Sequence, residues 1–210
     1  MILANEGRSH IHAAAILCGG ESRRMGVDKA SLVNGATSLI ERQVEELRAM
    51  FPELRIFICS GSRDYPELEA YSVDYIHDTL ESAGPLSGLG QALSTVAMDD
   101  EDAGSLFVIP IDSLISPTQI LKVLTSSQSA ASITLLTSQR LHPLHGLFSA
   151  QLGRDMVQYV ASGGRSVMDF VKAHTWQVAV APDDWEPCLN FNSPEEYQEA
   201  IVALPALTVL

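Results

Sequence analysis

The sequence predicts an α/β fold, a mostly parallel sheet covered by helices. Three observations lead there. Strand-like and helix-like segments alternate along the chain. Several strand candidates are near-continuous apolar runs, as in strands buried on both faces. The 210 residues are 46% hydrophobic and 19% charged, enough for one large core.

The first strand candidate, Ala13–Cys18, breaks at Gly19-Gly20. Residues 38–51 form the clearest helix, with Leu39, Ile40, Val44, Leu47, Met50 and Phe51 on one face. Ser38 and Glu41 fit a capping box at its start, and Pro52 marks its end. Leu54–Cys59 is a buried strand, and Val73–Ile76 a shorter one ending at His77-Asp78. Gly84-Pro85-Leu86 opens a helix with Leu86, Leu89, Leu93 and Val96 inward, and Ser105–Ile111 is an apolar strand ending at Asp112. A short helix (Pro117–Leu124) and two strands (Ile133–Thr137, His145–Ser149) follow. Helical patterns at about 150–160 and 164–174, a last strand at Trp176–Ala181 and a final helix at Pro194–Leu204 complete the series. The whole of 1–210 reads as a single domain, with 1–11 a loose N-terminal extension and 204–210 an apolar tail. There is no internal repeat, coiled coil or low-complexity tract.

Net charge is −13, which argues against non-specific binding to nucleic acid or anionic membrane. Yet three of the 13 Lys and Arg residues fall between Arg23 and Lys29, immediately after Gly19-Gly20. Glycines let a backbone approach a ligand closely, and exposed N–H groups in such a turn form an anion site. Arg23, Arg24 and Lys29 add charge for phosphate oxygens. The segment therefore reads as a polyphosphate loop on an acidic protein. It is neither a P-loop nor a G-x-G-x-x-G fingerprint. Cys18, Cys59 and Cys188 are odd in number and far apart, and read as buried thiols in a reducing compartment. No apolar run reaches the ~20 residues of a spanning helix. The chain reads as cytoplasmic.

Open parallel sheets bind ligands at the carboxyl ends of their strands. Gly19-Gly20, Asp78 and Asp112 all fall there. Asp112 suits Mg²⁺, which typically takes one or two carboxylates plus substrate phosphates. A helix cap or turn is an equal reading of Asp112 and of Asp78. The Gly84 turn is either a helix start or a place where a base lies against backbone. His142-Pro143-Leu144-His145 invites a metal reading that the sequence does not support, since no third ligand is near. Gly163-Gly164-Arg165 is a helix start or a second anion site. Asn190 and Asn192, at alternate positions of an extended segment, point the same way and suit paired hydrogen bonding.

The block Leu-Cys-Gly-Gly-x4-Met-Gly-x-Asp-Lys at 17–29 resembles the signature of the molybdenum cofactor guanylyltransferases, MobA-like nucleotidyltransferases. The resemblance continues in order through Asp78, Gly84-Pro85-Leu86-x-Gly88, Asp112, His142-Pro143, Arg165 and Asn190-x-Asn192-x-Pro194, covering roughly 13–203. It implies a three-layer α/β/α sandwich on a Rossmann-like sheet of the nucleotidyltransferase type. It implies transfer of GMP from GTP to the phosphate of molybdenum-bearing molybdopterin, with release of pyrophosphate. Lys29, Asp112 and Arg23 would be catalytic. Leu17, Cys18, Gly19, Gly20, Lys29, Asp78, Gly84 and Asp112 would bind the nucleotide. Asp112 would hold Mg²⁺, and Arg165, Asn190 and Asn192 would lie nearer the molybdopterin. Cofactor-delivery and acceptor proteins would be partners. The chain departs from the pattern at Cys18, where Ala is usual, and around Asp112, whose neighbouring Cys and Pro are missing. A cytidylyltransferase, a sugar-phosphate nucleotidyltransferase and a catalytically degenerate nucleotide-binding protein are the alternatives.

Overall fold

The computed structural model describes residues 11–18, 28–77, 84–99, 104–126 and 130–207, without the side chains of 34, 99 and 205–207. In chain order the elements are β1 (Ile11–Leu17), β2 (Val33–Asn34), β3 (Thr37–Ser38), α1 (Leu39–Met50), β4 (Arg55–Gly61) and β5 (Asp74–His77). Next come α2 (Pro85–Asp99), β6 (Ser105–Pro110), α3 (Pro117–Ser126), β7 (Ile133–Thr137) and β8 (Leu141–Ser149). The last are α4 (Gly153–Ala161), α5 (Val167–Lys172), β9 (Trp176–Val180), α6 (Glu186–Leu189) and α7 (Pro194–Leu207).

Seven strands form one sheet in the order β5-β4-β1-β6-β8-β7-β9. Only β8 runs against the others. Strand alternation sorts side chains to the two faces. From β1, Ala14 and Ile16 pack with Leu39, Val44 and Leu47 of α1, Ile120 of α3 and Tyr197 of α7. Ala13, Ala15 and Leu17 pack on the other face with Leu86 and Leu89 of α2, Met156 of α4 and Phe170 of α5. This is the expected three-layer sandwich.

After β1 the chain builds β4 and β5 to one side and then crosses to β6 on the other. Leu17 at the end of β1 is in register with Cys59 of β4 and Pro110 of β6. The crevice where strand order reverses lies beyond these carboxyl ends, where open α/β sheets hold ligands.

Several boundaries move for identifiable reasons. Ile11, expected in the loose extension, is the first residue of β1. The expected strand at His145–Ser149 begins earlier, at Leu141, because a bulge absorbs Pro143. Pairing with β7 jumps from Leu135↔Gly146 to Leu136↔His142, leaving residues 143–145 outside the ladder, so the missing N–H of Pro143 breaks no bond. The helix expected over 164–174 starts only at Val167, capped by Ser166. Gly163 sits at φ +95° and ends α4 instead, with its N–H on the Val160 carbonyl. The apolar tail is helical through Leu207. The small β2–β3 hairpin, turning at Gly35, was signalled by Asn34-Gly35 but not expected.

Candidate active site

Lys29 enters the crevice from a single 3₁₀ turn, Lys29–Ser31. Asp28 caps that turn, its Oδ1 accepting from the Ala30 N–H at 3.1 Å. Its other oxygen accepts from the Tyr65 hydroxyl at 3.2 Å and pairs with Arg63 at 3.2 Å. The loop after β4 therefore fixes the residue next to Lys29. The ammonium is 9% exposed as a residue and has three acceptors. These are Asp112 Oδ2 at 2.8 Å, the Phe191 carbonyl at 2.5 Å and Asn192 Oδ1 at 3.1 Å. An ammonium has three hydrogens, so its donors are fully used. The Phe191 ring lies 5.3 Å from Nζ, close enough for a cation–π contribution.

Asp112 stands on the turn after β6, and three elements hold that turn. The Ile111 N–H bonds the Leu17 carbonyl at 3.0 Å, tying it to β1. Gln43 of α1, fully buried, sends its amide to the carbonyls of Pro110 and Ser113, both at 3.3 Å. The Leu114 N–H bonds the Cys188 carbonyl of α6 at 2.8 Å, and Arg42 bonds the Leu114 carbonyl at 2.9 Å. Asp112 Oδ1 is buried without a partner. A bare, acceptor-only carboxylate oxygen is the kind of donor a hard metal ion takes, so Asp112 fits as one ligand of Mg²⁺. Among the described residues no group of three or more His, Cys, Asp or Glu is arranged to hold a metal. The oxygens beyond Asp112 would come from substrate.

Gln43 was not singled out from the sequence, although a signal was there. It falls on the apolar stripe of α1, among Leu39, Ile40, Val44 and Leu47, where a polar side chain must have a partner.

Asn190 is extended, and Asn192 donates to its side-chain oxygen at 2.7 Å. The expected shared direction of the two amides is observed, and they bond each other. The Asn192 N–H is taken by Glu196 at 2.5 Å, while Ser193 accepts from the Glu196 N–H at 3.2 Å. Asn190-Phe191-Asn192 is thus a strap between α6 and the capped start of α7.

The structure brings Lys29, Asp112, Asn190 and Asn192 together, with Leu17 and Cys18 at the adjoining end of β1. It does not separate Asn192 from the Lys29–Asp112 pair, since Asn192 bonds Lys29 directly. Arg165 is not linked to this cluster by any hydrogen bond or ion pair. Its guanidinium caps the C-terminus of α4, on the carbonyls of Val160 at 2.9 Å and Gly164 at 2.7 Å. The glycine-rich turn before Arg165 is therefore a helix end rather than a helix start. Gly84 precedes α2 with open space where a Cβ would stand. Gly19, Gly20, Arg23 and Asp78 lie outside the described residues.

Cys18, Cys59 and Cys188 are buried and form no disulfide with one another. Burial first, then the neighbouring Cys59 and Asp28, pushes the Cys18 thiol well above its usual range. It is an inert packing group, not a nucleophile.

With this geometry in place, comparison with known proteins is specific. Residues 14–178 match the MobA-like NTP transferase domain. The chain belongs to the MobA-like NTP transferase family. A molybdenum cofactor guanylyltransferase of Cereibacter sphaeroides is 32% identical over 186 residues, spanning 88% of this chain and 93% of that one. One from Rhizobium meliloti is 29% identical over 204 residues, spanning 92% of both. The crystal structure of Molybdopterin-guanine dinucleotide biosynthesis protein A from Archaeoglobus fulgidus superposes with a TM-score of 0.66 at 19% identity, covering 92% of this chain and 99% of that one. As a family member the chain has its Lys29–Asp112 pair where strand order reverses. Among the described residues, no helix is long and apolar enough to cross a membrane.

Proposed function

We propose that this MobA-like protein transfers GMP from GTP to the phosphate of molybdenum-bearing molybdopterin, releasing pyrophosphate. The observation that carries the reading is the meeting of Lys29, Asp112 and Asn192 at the carboxyl ends of β1 and β6, in a family whose relatives carry the guanylyltransferase name. Those names favour guanylyl over cytidylyl or sugar-phosphate transfer.

The chemistry needs positioning and charge rather than a protein nucleophile. An oxygen of the acceptor phosphate attacks the α-phosphorus of GTP, and pyrophosphate leaves. Lys29 would supply positive charge there from the position its three acceptors give it. To reach a phosphate oxygen it exchanges one of them, and the carboxylate is the natural one to yield. Asp112 is the residue that would hold Mg²⁺, through the unpartnered Oδ1. Bound there, the ion would neutralise charge on the phosphates. Gly19, Gly20 and Arg23 would cradle the outer phosphates, and Asp78 with Gly84 would face the nucleoside. The Asn190–Asn192 strap would border the acceptor. We place the protein in the cytoplasm, receiving molybdopterin from delivery proteins and passing the product to acceptor proteins.

Thermal melting with GTP, CTP and ATP, each with and without Mg²⁺, tests the reading. A ligand at a hundredfold excess over its Kd stabilises by roughly 2.7 kcal/mol. GTP with Mg²⁺ is expected to give the largest shift. A larger shift with CTP would overturn the guanylyl assignment, and no shift with any nucleotide would support a non-catalytic protein.

A further inference from the structure

Glu186 is not used by the reaction as described, yet three side chains converge on its carboxylate. Arg140 Nε lies 2.6 Å from Oε1, and His142 Nε2 lies 3.1 Å from Oε2. The Ser138 hydroxyl donates to Oε2 as well. All three come from the β7–β8 connection and the start of β8, and the side chains of His142 and Glu186 are largely buried. Gln139 of the same connection donates to the Asp183 carbonyl at 3.3 Å, just before α6. Glu186 is the first residue of α6, a helix of four residues. From there the chain reaches both halves of the Lys29–Asp112 pair. The Cys188 carbonyl of α6 accepts from the Leu114 N–H at 2.8 Å, on the turn that carries Asp112. Asn190 follows α6, and then the Phe191 carbonyl and the Asn192 side chain that accept from Lys29 at 2.5 and 3.1 Å.

A helix this short has almost no stability of its own, so outside contacts must set its position. Trp185, Cys188 and Leu189 seat it on the core, but apolar contact is non-directional. The bonds to Glu186 supply direction. We propose that Glu186 is a positioning residue of the active site: held by Ser138, Arg140 and His142, it fixes α6, and α6 in turn sets both the Asp112 turn and the acceptors of the Lys29 ammonium. The inference rests on the reading of Lys29 as the phosphate-facing cation. Its mechanical part does not depend on which nucleotide is used. Glu186→Ala removes the anchor while His142 keeps Ser138 as a partner at 3.3 Å. The start of α6 is then freed, and the acceptors of Lys29 lose their fixed place.

The test is Glu186→Ala, read first by NMR of the Lys29 ammonium, assigned by its loss in Lys29→Arg. In the wild type three acceptors protect these hydrogens from exchange. In the variant their exchange should quicken by roughly tenfold, the scale of one lost hydrogen bond. Two controls separate positioning from general effects. Val160→Ala loosens the core on the other face of the sheet, and Asp184→Asn removes a charge close to Glu186 in the chain. Both should leave the exchange at the wild-type rate. The kinetic readout is a fall in kcat of similar size with KM for GTP changed less than about threefold. Adding Glu186→Ala to Asn192→Ala should then cost little more than Asn192→Ala alone. If Glu186→Ala does not fold, Arg140→Leu removes one exposed donor and should quicken the exchange about threefold. An unchanged Lys29 ammonium in a folded variant, an equal change in either control, or additive losses in the double variant overturns the proposal. Failure of the wild type to use GTP would instead count against the proposed function, since the ammonium measurement needs no substrate.

Discussion

Lys29 and Asp112 are 83 positions apart in the chain and 2.8 Å apart in space. One follows β1, the other follows β6, and the pair forms only because those two strands are neighbours. Lys29 neutralises a largely buried carboxylate, and in the proposed reaction it is also the charge offered to a phosphate.

Lys29→Ala should therefore lose activity and some stability together. We expect kcat/KM to fall by at least ~100-fold, the scale seen when one stabilising donor is removed from a transition state. The loss of donors for Asp112, Phe191 and Asn192 should cost about 1–3 kcal/mol, with the fold retained. Steady-state kinetics and urea unfolding check both. Near-normal turnover would remove Lys29 from the mechanism.

Asp112→Asn keeps an oxygen for Lys29 but removes the charge a cation needs. Disturbing an outer-shell partner of a metal site typically costs about 10–100-fold in affinity, and a direct ligand should cost no less. The Mg²⁺ concentration for half-maximal activity should rise accordingly. An unchanged Mg²⁺ titration would move the metal to another residue, such as Asp78.

Gln43→Leu preserves volume but strips the Asp112 turn of its two bonds from Gln43, leaving the Arg42 bond to Leu114. The carbonyls of Pro110 and Ser113 lose that donor, at about 1–3 kcal/mol in urea unfolding. Activity should drop as the carboxylate loses its aim. Full activity with wild-type stability would show that β1, Arg42 and α6 hold the turn without Gln43.

Stability should decline on the acid side through the His142–His145 region. Burial first, and the charge of His142 second, push the His145 ring down to about 3 from 6.5. The native ring stays neutral while the unfolded one takes up a proton. Stability present above pH 6.5 is therefore lost as pH falls toward 3, at about 1.4 kcal/mol per pH unit. Glu186 adds to this at lower pH. Burial alone would raise its carboxyl, but hydrogen bonds from Ser138 and His142 and the charges of His142 and Arg140 hold it below 4.5. Unfolding free energies measured from about pH 7 to pH 5 should slope less in His145→Phe than in the wild type. Equal slopes would show that His145 is not the group responsible.

Much of this was legible in the sequence because it is written locally. The apolar runs of β1, β4 and β6, the stripe and cap of α1 and the Pro194 helix start are patterns within a few residues. The signature around Lys29 and the Asn190–Asn192 alternation were equally plain. What escaped depends on contacts between distant segments. Nothing near Arg165 says that its guanidinium turns back onto Val160. Nothing near His142 says that Glu186 waits 44 positions on, or that a bulge disposes of Pro143. Gln43 is the intermediate case, since its place on an apolar stripe demanded a partner without naming Pro110 and Ser113.

The central claim is guanylyl transfer at the Lys29–Asp112 site. Its most direct measurement supplies the protein with Mg²⁺, molybdenum-bearing molybdopterin and equal GTP and CTP, and identifies the dinucleotide product by mass alongside released pyrophosphate. The account predicts the guanine dinucleotide with one pyrophosphate per transfer, and neither product from Lys29→Ala. A cytosine dinucleotide, or no product from the folded wild-type protein, would contradict it.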